Sequence, residues 1–153
     1  MFRRLLPILI TLAFAVALVL RAGDEERLPP SQATVIRVVD GDTVVARLGD
    51  GREERVRYIG IDTPERGEPC FQQASDANAL LVEGQRVRLE RDVSERDRYG
   101  RLLAYVYRDE DDVFVNEELV RQGLAEAKEY PPDTREAGRL ETAERGARET
   151  CER

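Results

Sequence analysis

The chain has 153 residues, which is the usual size of one domain with a single core. Charged residues make up 36% of the composition and aromatic residues 6%, so the core must be built mainly from aliphatic side chains. The net charge of −7 disfavours bulk attraction to a polyanion, and the absence of histidine excludes Ser-His-Asp and Cys-His nucleophiles, histidine bases and two-histidine zinc motifs.

Residues 1–22 have the pattern of an export segment. Arg3 and Arg4 precede an apolar run from residue 5 to residue 20, and no clear cleavage site follows this run. A cleaved signal peptide and an uncleaved membrane anchor both stay open, and either one predicts an exported protein, secreted or tethered to the outer face of the cytoplasmic membrane. Residues 23–32 are polar and contain two consecutive prolines, which predicts a linker.

The folded domain is predicted over residues 33–153. Strand patterns occur at residues 33–39, 43–48, 52–61, 86–91, 101–107 and 113–115. Helical spacing predicts helices over 71–83, over 116–122 and from residue 133 onwards, with Asn116 and Asp133 as the N-caps of the last two. This order predicts an α+β fold in which a small barrel of five or more strands carries about three helices.

Three polar clusters lie at turns between the predicted strands. They are Asp-Gly-Asp-Thr at 40–43, Asp-Thr-Pro-Glu at 62–65 and Asp-Arg-Tyr-Gly-Arg at 97–101. Taken alone, the first and the third are ordinary polar turns. Taken together, Asp42, Asp62 and Glu65 supply three carboxylates from two turns, and such hard oxygen ligands suit Ca²⁺ or Mg²⁺.

Two arginines accompany these carboxylates. Arg57 precedes the second cluster, and Arg101 ends the third. Phosphodiester hydrolysis needs this combination, because arginines stabilise the charge that grows on the phosphoryl oxygens while Glu65 can activate a water. Arg98 and Tyr99 are a mixture suited to a phosphate and a stacked base or sugar. A glycosidase with two carboxylates would not explain the arginines.

The charge distribution places any phosphate-binding surface in the first part of the domain. Residues 33–108 contain 13 Arg against 14 Asp plus Glu, whereas residues 109–153 contain 7 basic and 14 acidic residues. Of the 24 basic residues 23 are arginine, which binds phosphate through two N–H groups, although GC-rich coding would produce the same bias.

The motifs resemble, in the same order, those of the staphylococcal nuclease family. The resemblance covers residues 33–150 and includes a fourth motif, Val-Asn-Glu-Glu-Leu-Val-Arg-Gln-Gly-Leu-Ala at 115–125. It implies a five-stranded OB-fold barrel with helices. It also implies a monomeric, Ca²⁺-dependent endonuclease that acts on DNA and RNA with little sequence preference and needs no protein partner.

The alternative is a catalytically silent nucleic-acid-binding or interaction module of the same fold. Silent copies would be expected to lose one of the two arginines or the glutamate. This chain keeps Arg57, Glu65 and Arg101, which favours the enzyme.

The resemblance implies a role for each metal-site residue. Asp42 and Asp62 would bind Ca²⁺ through their side chains, and Thr63 would bind it through its carbonyl oxygen. Glu65 would be the general base and would touch the metal shell through water.

The resemblance also implies roles in substrate binding. Arg57 and Arg101 would bind the phosphate and stabilise the transition state, Arg98 and Tyr99 would contact the substrate, and Tyr130 would be a further stacking residue. The chain departs from the best-known family member in a shorter segment after the glutamate and in an acidic last third. Both departures predict weaker affinity for nucleic acid.

Two cysteines are present, Cys70 and Cys151. An even pair in an exported chain predicts a disulfide, which would join the start of the first helix to the end of the last. Two free thiols are the alternative.

Overall fold

The computed structural model describes residues 31–148 and residue 150. Its elements are β1 Gln32–Asp40, β2 Thr43–Leu48, β3 Glu53–Tyr58, β4 Ile61–Asp62, α1 Phe71–Val82, β5 Arg86–Glu90, β6 Leu102–Arg108, α2 Val115–Arg121, β7 Glu126–Ala127 and α3 Ala137–Arg145. None of the helices in these residues has the length and apolar character needed to cross a bilayer. The export segment predicted at 1–22 and all but the end of the linker predicted at 23–32 lie outside the described residues and stay predictions.

Five strands close into a barrel in the order β1-β2-β3-β6-β5, and β5 pairs with β1. Neighbouring strands are antiparallel except β3 and β6, which run parallel with Val56 opposite Leu102. The short strands β4 and β7 pair with each other in a separate sheet. The described part is therefore an α+β fold with a five-stranded mixed barrel and three helices, which confirms the predicted OB-fold barrel.

Alternating side chains on β3 separate the core from the outer face. Val56 and Tyr58 are 0% and 1% exposed, whereas Arg55, which directly precedes Val56, is exposed and Arg57 between them is partly buried. The buried Tyr58 hydroxyl donates to Oδ1 of Asn78 at 2.9 Å, and Nδ2 of Asn78 donates to the Asp40 carbonyl at 3.0 Å. These hydrogen bonds satisfy the buried polar groups and tie α1 to the turn between β1 and β2.

Gly60 divides the strand that the sequence predicts over residues 52–61. Its φ of +79° lies in the left-handed region, so β3 ends at Tyr58, and Ile61 and Asp62 after the glycine pair with β7 instead. The break turns the chain back towards the β1–β2 turn, where the Thr63 N–H donates to Oδ2 of Asp42 at 3.0 Å. The interruption therefore brings two of the polar clusters together.

The prediction that Asn116 caps the second helix is wrong. α2 begins at Val115, and the strand predicted at 113–115 is reduced to an isolated bridge at Phe114. The fully buried Asn116 amide accepts a hydrogen bond from the Val106 N–H at 3.0 Å and donates to the Ile59 carbonyl at 2.8 Å. It satisfies backbone groups of β6 and of the β3–β4 junction.

The prediction that Asp133 opens the third helix is also wrong. α3 begins at Ala137, and no side chain caps it. The carboxylate of Asp133 accepts hydrogen bonds from the N–H groups of Val93 and Ser94 at 3.0 and 2.7 Å. Asp133 therefore connects the segment before α3 to the loop between β5 and β6.

Replacement of Gly60 by alanine is expected to destabilise the fold through two separate effects. The left-handed backbone costs about 1–2 kcal/mol for any L-residue with a Cβ atom. The new Cβ would also lie 2.5 Å from Cδ1 of Leu140, whose side chain is fully buried, and such overpacking costs about 1–3 kcal/mol. Urea unfolding should therefore show a loss of about 2–5 kcal/mol.

Gly51→Ala is the matched control. Gly51 has a φ of +87° and no atom within 4 Å of the Cβ position, so only the backbone cost of about 1–2 kcal/mol should appear. Equal losses for the two variants would contradict the steric role of Gly60.

Candidate functional site

Asp42 is a buried carboxylate at the turn between β1 and β2, with 6% of the residue exposed. Its Oδ2 accepts hydrogen bonds from the N–H and the hydroxyl of Thr63 at 3.0 and 2.9 Å, and Oδ1 accepts one from the Thr43 hydroxyl at 3.2 Å. Burial raises the pKa of the Asp42 carboxyl above its ordinary value, although Arg57 opposes the shift. An ionised group in this position requires a cation beside it.

Arg57 supplies that cation and bridges the two aspartates. Its Nη1 forms an ion pair with Oδ2 of Asp42, and Nη2 donates to Oδ1 of Asp62 at 2.9 Å. The Arg57 side chain is only 12% exposed, and the buried Nη1 has no hydrogen bond of good geometry in the described part. One guanidinium group thus holds together carboxylates from two separate turns.

Lys128 is a second cation at the site, and the sequence distinguishes it only as the one lysine of the chain. Its Nζ donates to Oδ2 of Asp62 at 2.7 Å, and this hydrogen bond raises the pKa of the lysine. Lys128 directly follows β7, and the pairing of β7 with β4 brings it to Asp62. This contact could not be anticipated because it depends on a two-residue sheet.

The donor set at this point suits a hard cation. Asp42 and Asp62 converge on a single guanidinium group, so their oxygens lie around a common position. Asp62, Thr63 and Glu65 also line an acidic cavity of about 410 Å³. No group of three or more His, Cys, Asp or Glu side chains among the described residues is arranged to hold a metal ion. Asp42 and Asp62 could supply two carboxylates to a cation, with carbonyl and water oxygens as its other ligands.

Asp97 shapes the loop between β5 and β6. Its Oδ1 accepts hydrogen bonds from the N–H groups of Tyr99 and Arg101 at 2.9 and 3.0 Å, and Oδ2 accepts one from Nε of Arg101 at 2.6 Å. Burial alone would raise the pKa of Asp97, but the hydrogen bonds from Arg101 and Tyr99 lower it below the ordinary value. Arg101 is thus held through Nε, and its two Nη atoms have no partner among the described residues.

Two tyrosines expose their rings near these arginines. Tyr99 is 68% exposed and Tyr130 is 42% exposed. The guanidinium carbons of Arg98 and Arg101 lie 4.8 and 5.4 Å from the centre of the Tyr99 ring, and Nη2 of Arg98 donates to its hydroxyl at 2.7 Å. Exposed rings beside cations are suited to stacking against bases.

A cavity of about 700 Å³ brings the predicted catalytic and substrate-binding residues together. It is lined, among others, by Arg57, Glu65, Arg98, Tyr99, Arg101 and Tyr130. Glu65 is exposed, its carboxylate has no partner within the described ranges, and it also lines the acidic cavity. Glu65 therefore stands where the arginine-lined cavity meets the carboxylates.

Cys70 precedes α1 and is disulfide-bonded. Its predicted partner, Cys151, lies outside the described residues, and the pairing stays a prediction from the sequence.

The barrel and its two adjoining cavities define an OB-fold protein in which arginines and a carboxylate face the same space. Residues 55–151 match a family model described as staphylococcal nuclease homologue. The chain is 43% identical over 119 residues to the thermonucleases of Staphylococcus hyicus and Staphylococcus intermedius, which covers 74% of this chain and 69% of each relative. It is 43% identical over 110 residues to endonuclease YncB of Bacillus subtilis, which covers 67% of this chain and 51% of that protein. The chain belongs to the staphylococcal nuclease family, and the resemblance in its motifs is confirmed.

Asp97→Asn is expected to lower the free energy of unfolding at pH 7 by about 1.5–3 kcal/mol, because the hydrogen bond to a charged group is lost. The Asp97 pKa is lowered in the folded state. The carboxylate therefore stabilises the fold above its unfolded pKa of about 3.9, and this contribution is lost as the pH falls through the folded value. Urea unfolding of the wild type and the variant should differ at neutral pH and converge in acid.

Asp111→Asn provides a control for this prediction. Asp111 also accepts hydrogen bonds from an arginine, Arg108, but the pair lies at the surface and is screened by solvent. A loss as large as that of Asp97→Asn would show that the shape of the β5–β6 loop is not the cause.

Proposed function

We propose that the protein is a nuclease that hydrolyses the phosphodiester bonds of DNA and RNA with Ca²⁺ and with little sequence preference. The observation that carries the proposal is the single cavity lined by Arg57, Glu65 and Arg101 together with exposed tyrosines. The arginines would bind the phosphate, the carboxylate would activate a water, and the exposed rings would stack on any base. Membership of the staphylococcal nuclease family supports the same activity.

Asp42 and Asp62, with the carbonyl oxygen of Thr63, would hold the Ca²⁺ ion. When bound, Ca²⁺ would supply positive charge next to the reacting phosphate. Arg57 neutralises both aspartates in the structure. With a divalent cation on the same carboxylates, the guanidinium group of Arg57 would be free to contact a phosphate.

Glu65 is proposed as the general base. It would take a proton from a water whose oxygen forms a bond to phosphorus, while the bond from phosphorus to the leaving sugar oxygen breaks and that oxygen takes up a proton from solvent water. Arg57 and Arg101 would donate hydrogen bonds to the phosphoryl oxygens as their negative charge grows. Arg101 is suited to this role because Asp97 holds its Nε and leaves both Nη atoms available.

The metal dependence has a direct test. Plasmid DNA and RNA should be cut when Ca²⁺ is present and should remain intact in excess chelator. Asp62→Ala should abolish cleavage with the fold retained, because Asp62 is only partly buried and its loss removes a ligand. Asp76→Asn, an exposed carboxylate on α1, is the control for loss of one negative charge and should keep full activity.

Undiminished cleavage in chelator would contradict the use of a metal. Binding of nucleic acid without any cleavage would instead support the catalytically silent module.

The three proposed catalytic residues should affect turnover more than binding. Arg57→Lys and Arg101→Lys keep the charge but lose the planar two-pronged contact, so each should lower kcat by about 10²-fold or more with a smaller change in KM. Glu65→Gln removes the base and should also lower kcat strongly. Calorimetric Ca²⁺ binding should survive in Glu65→Gln because both aspartates remain.

Arg121→Lys, an exposed arginine on α2 paired with Glu118, is the control and should keep wild-type single-turnover rates. Near wild-type kcat in both Arg57→Lys and Arg101→Lys would show that the catalytic assignment is wrong even though the family is right.

A further inference from the structure

Two exposed arginines on the outer face of the barrel have no acidic partner. Arg37 on β1 and Arg55 on β3 form neither an ion pair nor a hydrogen bond to any side chain among the described residues. Acidic residues outnumber basic ones in this chain, 31 to 24, and most of its described arginines are paired with a carboxylate. Arginines without a carboxylate partner are therefore a minority among the described residues.

The strand register places these two arginines in one line across the barrel. Arg37 is opposite Val45 on β2, and Val45 is opposite Arg55. Directly opposed residues project to the same face, and two strand spacings separate the outer members by about 10 Å. Val45 is 8% exposed and lies between them. We call Arg37 and Arg55 the arginine row.

The neighbouring line of residues on the same face has a different charge pattern. Arg47 on β2 is opposite Glu53 on β3, and the two form an ion pair at 2.9 Å. Shielding of Val45 by the arginine stems explains why long side chains occur at these positions. It does not explain why both ends carry an unneutralised positive charge when the next line is neutral.

The arginine row continues from the large cavity. Arg55 lies two residues before Arg57 on the same face of β3, which is about 7 Å along the strand. Arg57 is opposite Leu103 on β6, and both residues line the cavity. A chain of phosphates bound at Arg57 would therefore meet Arg55 next and Arg37 beyond it.

We infer that the arginine row binds the phosphates of a single-stranded nucleic acid that leaves the cavity across the outer face of β3, β2 and β1. The inference rests on the proposed function, because it extends the path of the same substrate. A single strand is favoured because the exposed rings of Tyr99 and Tyr130 can stack only on unpaired bases. OB-fold barrels in general present the face of their second and third strands to oligonucleotides.

The test compares the full chain with the double variant Arg37→Gln/Arg55→Gln. The double variant Arg145→Gln/Arg148→Gln is the matched control, since it also removes two exposed arginines that lack a carboxylate partner in the described part. Binding of a labelled single-stranded oligonucleotide is measured by fluorescence anisotropy in chelator over a range of salt concentrations, so that no cleavage is needed. Urea unfolding checks that all variants are folded.

Loss of two phosphate contacts should make the slope of log affinity against log salt shallower by about 1.4 for a single strand. In cleavage assays with Ca²⁺, KM for the oligonucleotide should rise roughly fivefold to tenfold with kcat unchanged. The kinetics of a dinucleoside phosphate, which has one phosphate and cannot reach the row, should not change. The control should match the wild type in each measurement.

Three outcomes would overturn the inference. The salt slope of Arg37→Gln/Arg55→Gln could equal that of the control, its KM could rise as much for the dinucleoside phosphate as for the oligonucleotide, or its affinity could fall only for a duplex. Failure of the wild type to cut any substrate would overturn the proposed nuclease. The slope measured in chelator would still decide whether the arginine row binds nucleic acid.

Discussion

The site depends on one nearly buried guanidinium group. Arg57 neutralises Asp42 and Asp62, which come from turns far apart in the chain and would otherwise repel each other. Removal of the cation from such a buried group commonly costs about 3–5 kcal/mol, because it leaves a buried carboxylate without a partner. The raised pKa of Asp42 reflects the same cost of burial. Burial of these two carboxylates is therefore unfavourable without a cation, and the same property suits them to binding one.

Two aspartates stabilise the loops that line the large cavity, because their carboxylates accept hydrogen bonds from backbone N–H groups that lie in no helix or strand. Asp97 accepts two backbone N–H groups within its own loop, and Asp133 accepts the N–H groups of Val93 and Ser94 at the start of the same loop. Tyr130 lies three residues before Asp133, so the two loops that carry the exposed rings are joined to each other. Loops on a rigid barrel can thus hold side chains in fixed positions without belonging to a strand or a helix.

The sequence predicts the features that depend on local chemistry and misses those that depend on distant partners. The turns at residues 40–43 and 97–101 were predictable because Asp and Gly have strong backbone preferences. Asn116 was misassigned because a buried amide and a helix cap use the same residue type, and only the packing of β6 distinguishes them. The parallel pairing of β3 with β6 and the contact of Lys128 with Asp62 join residues far apart in the chain. Periodicity contains no information about such pairs.

The net charge of −7 is a poor guide to what the large cavity can bind. The Debye length is about 8 Å at physiological ionic strength. Exposed acidic side chains more than this distance from the cavity therefore have little influence on a phosphate bound in it. Among the described residues, most arginines outside the large cavity form ion pairs with carboxylates, whereas Arg98 does not, and Arg101 pairs with Asp97 through Nε alone. The acidic surface offers little long-range attraction to a polyanion, so binding would depend on short-range contacts with individual arginines. In the proposed reaction, a substrate held weakly in its ground state would leave the arginine contacts free to strengthen as the phosphoryl charge grows, and only that increase would accelerate the reaction.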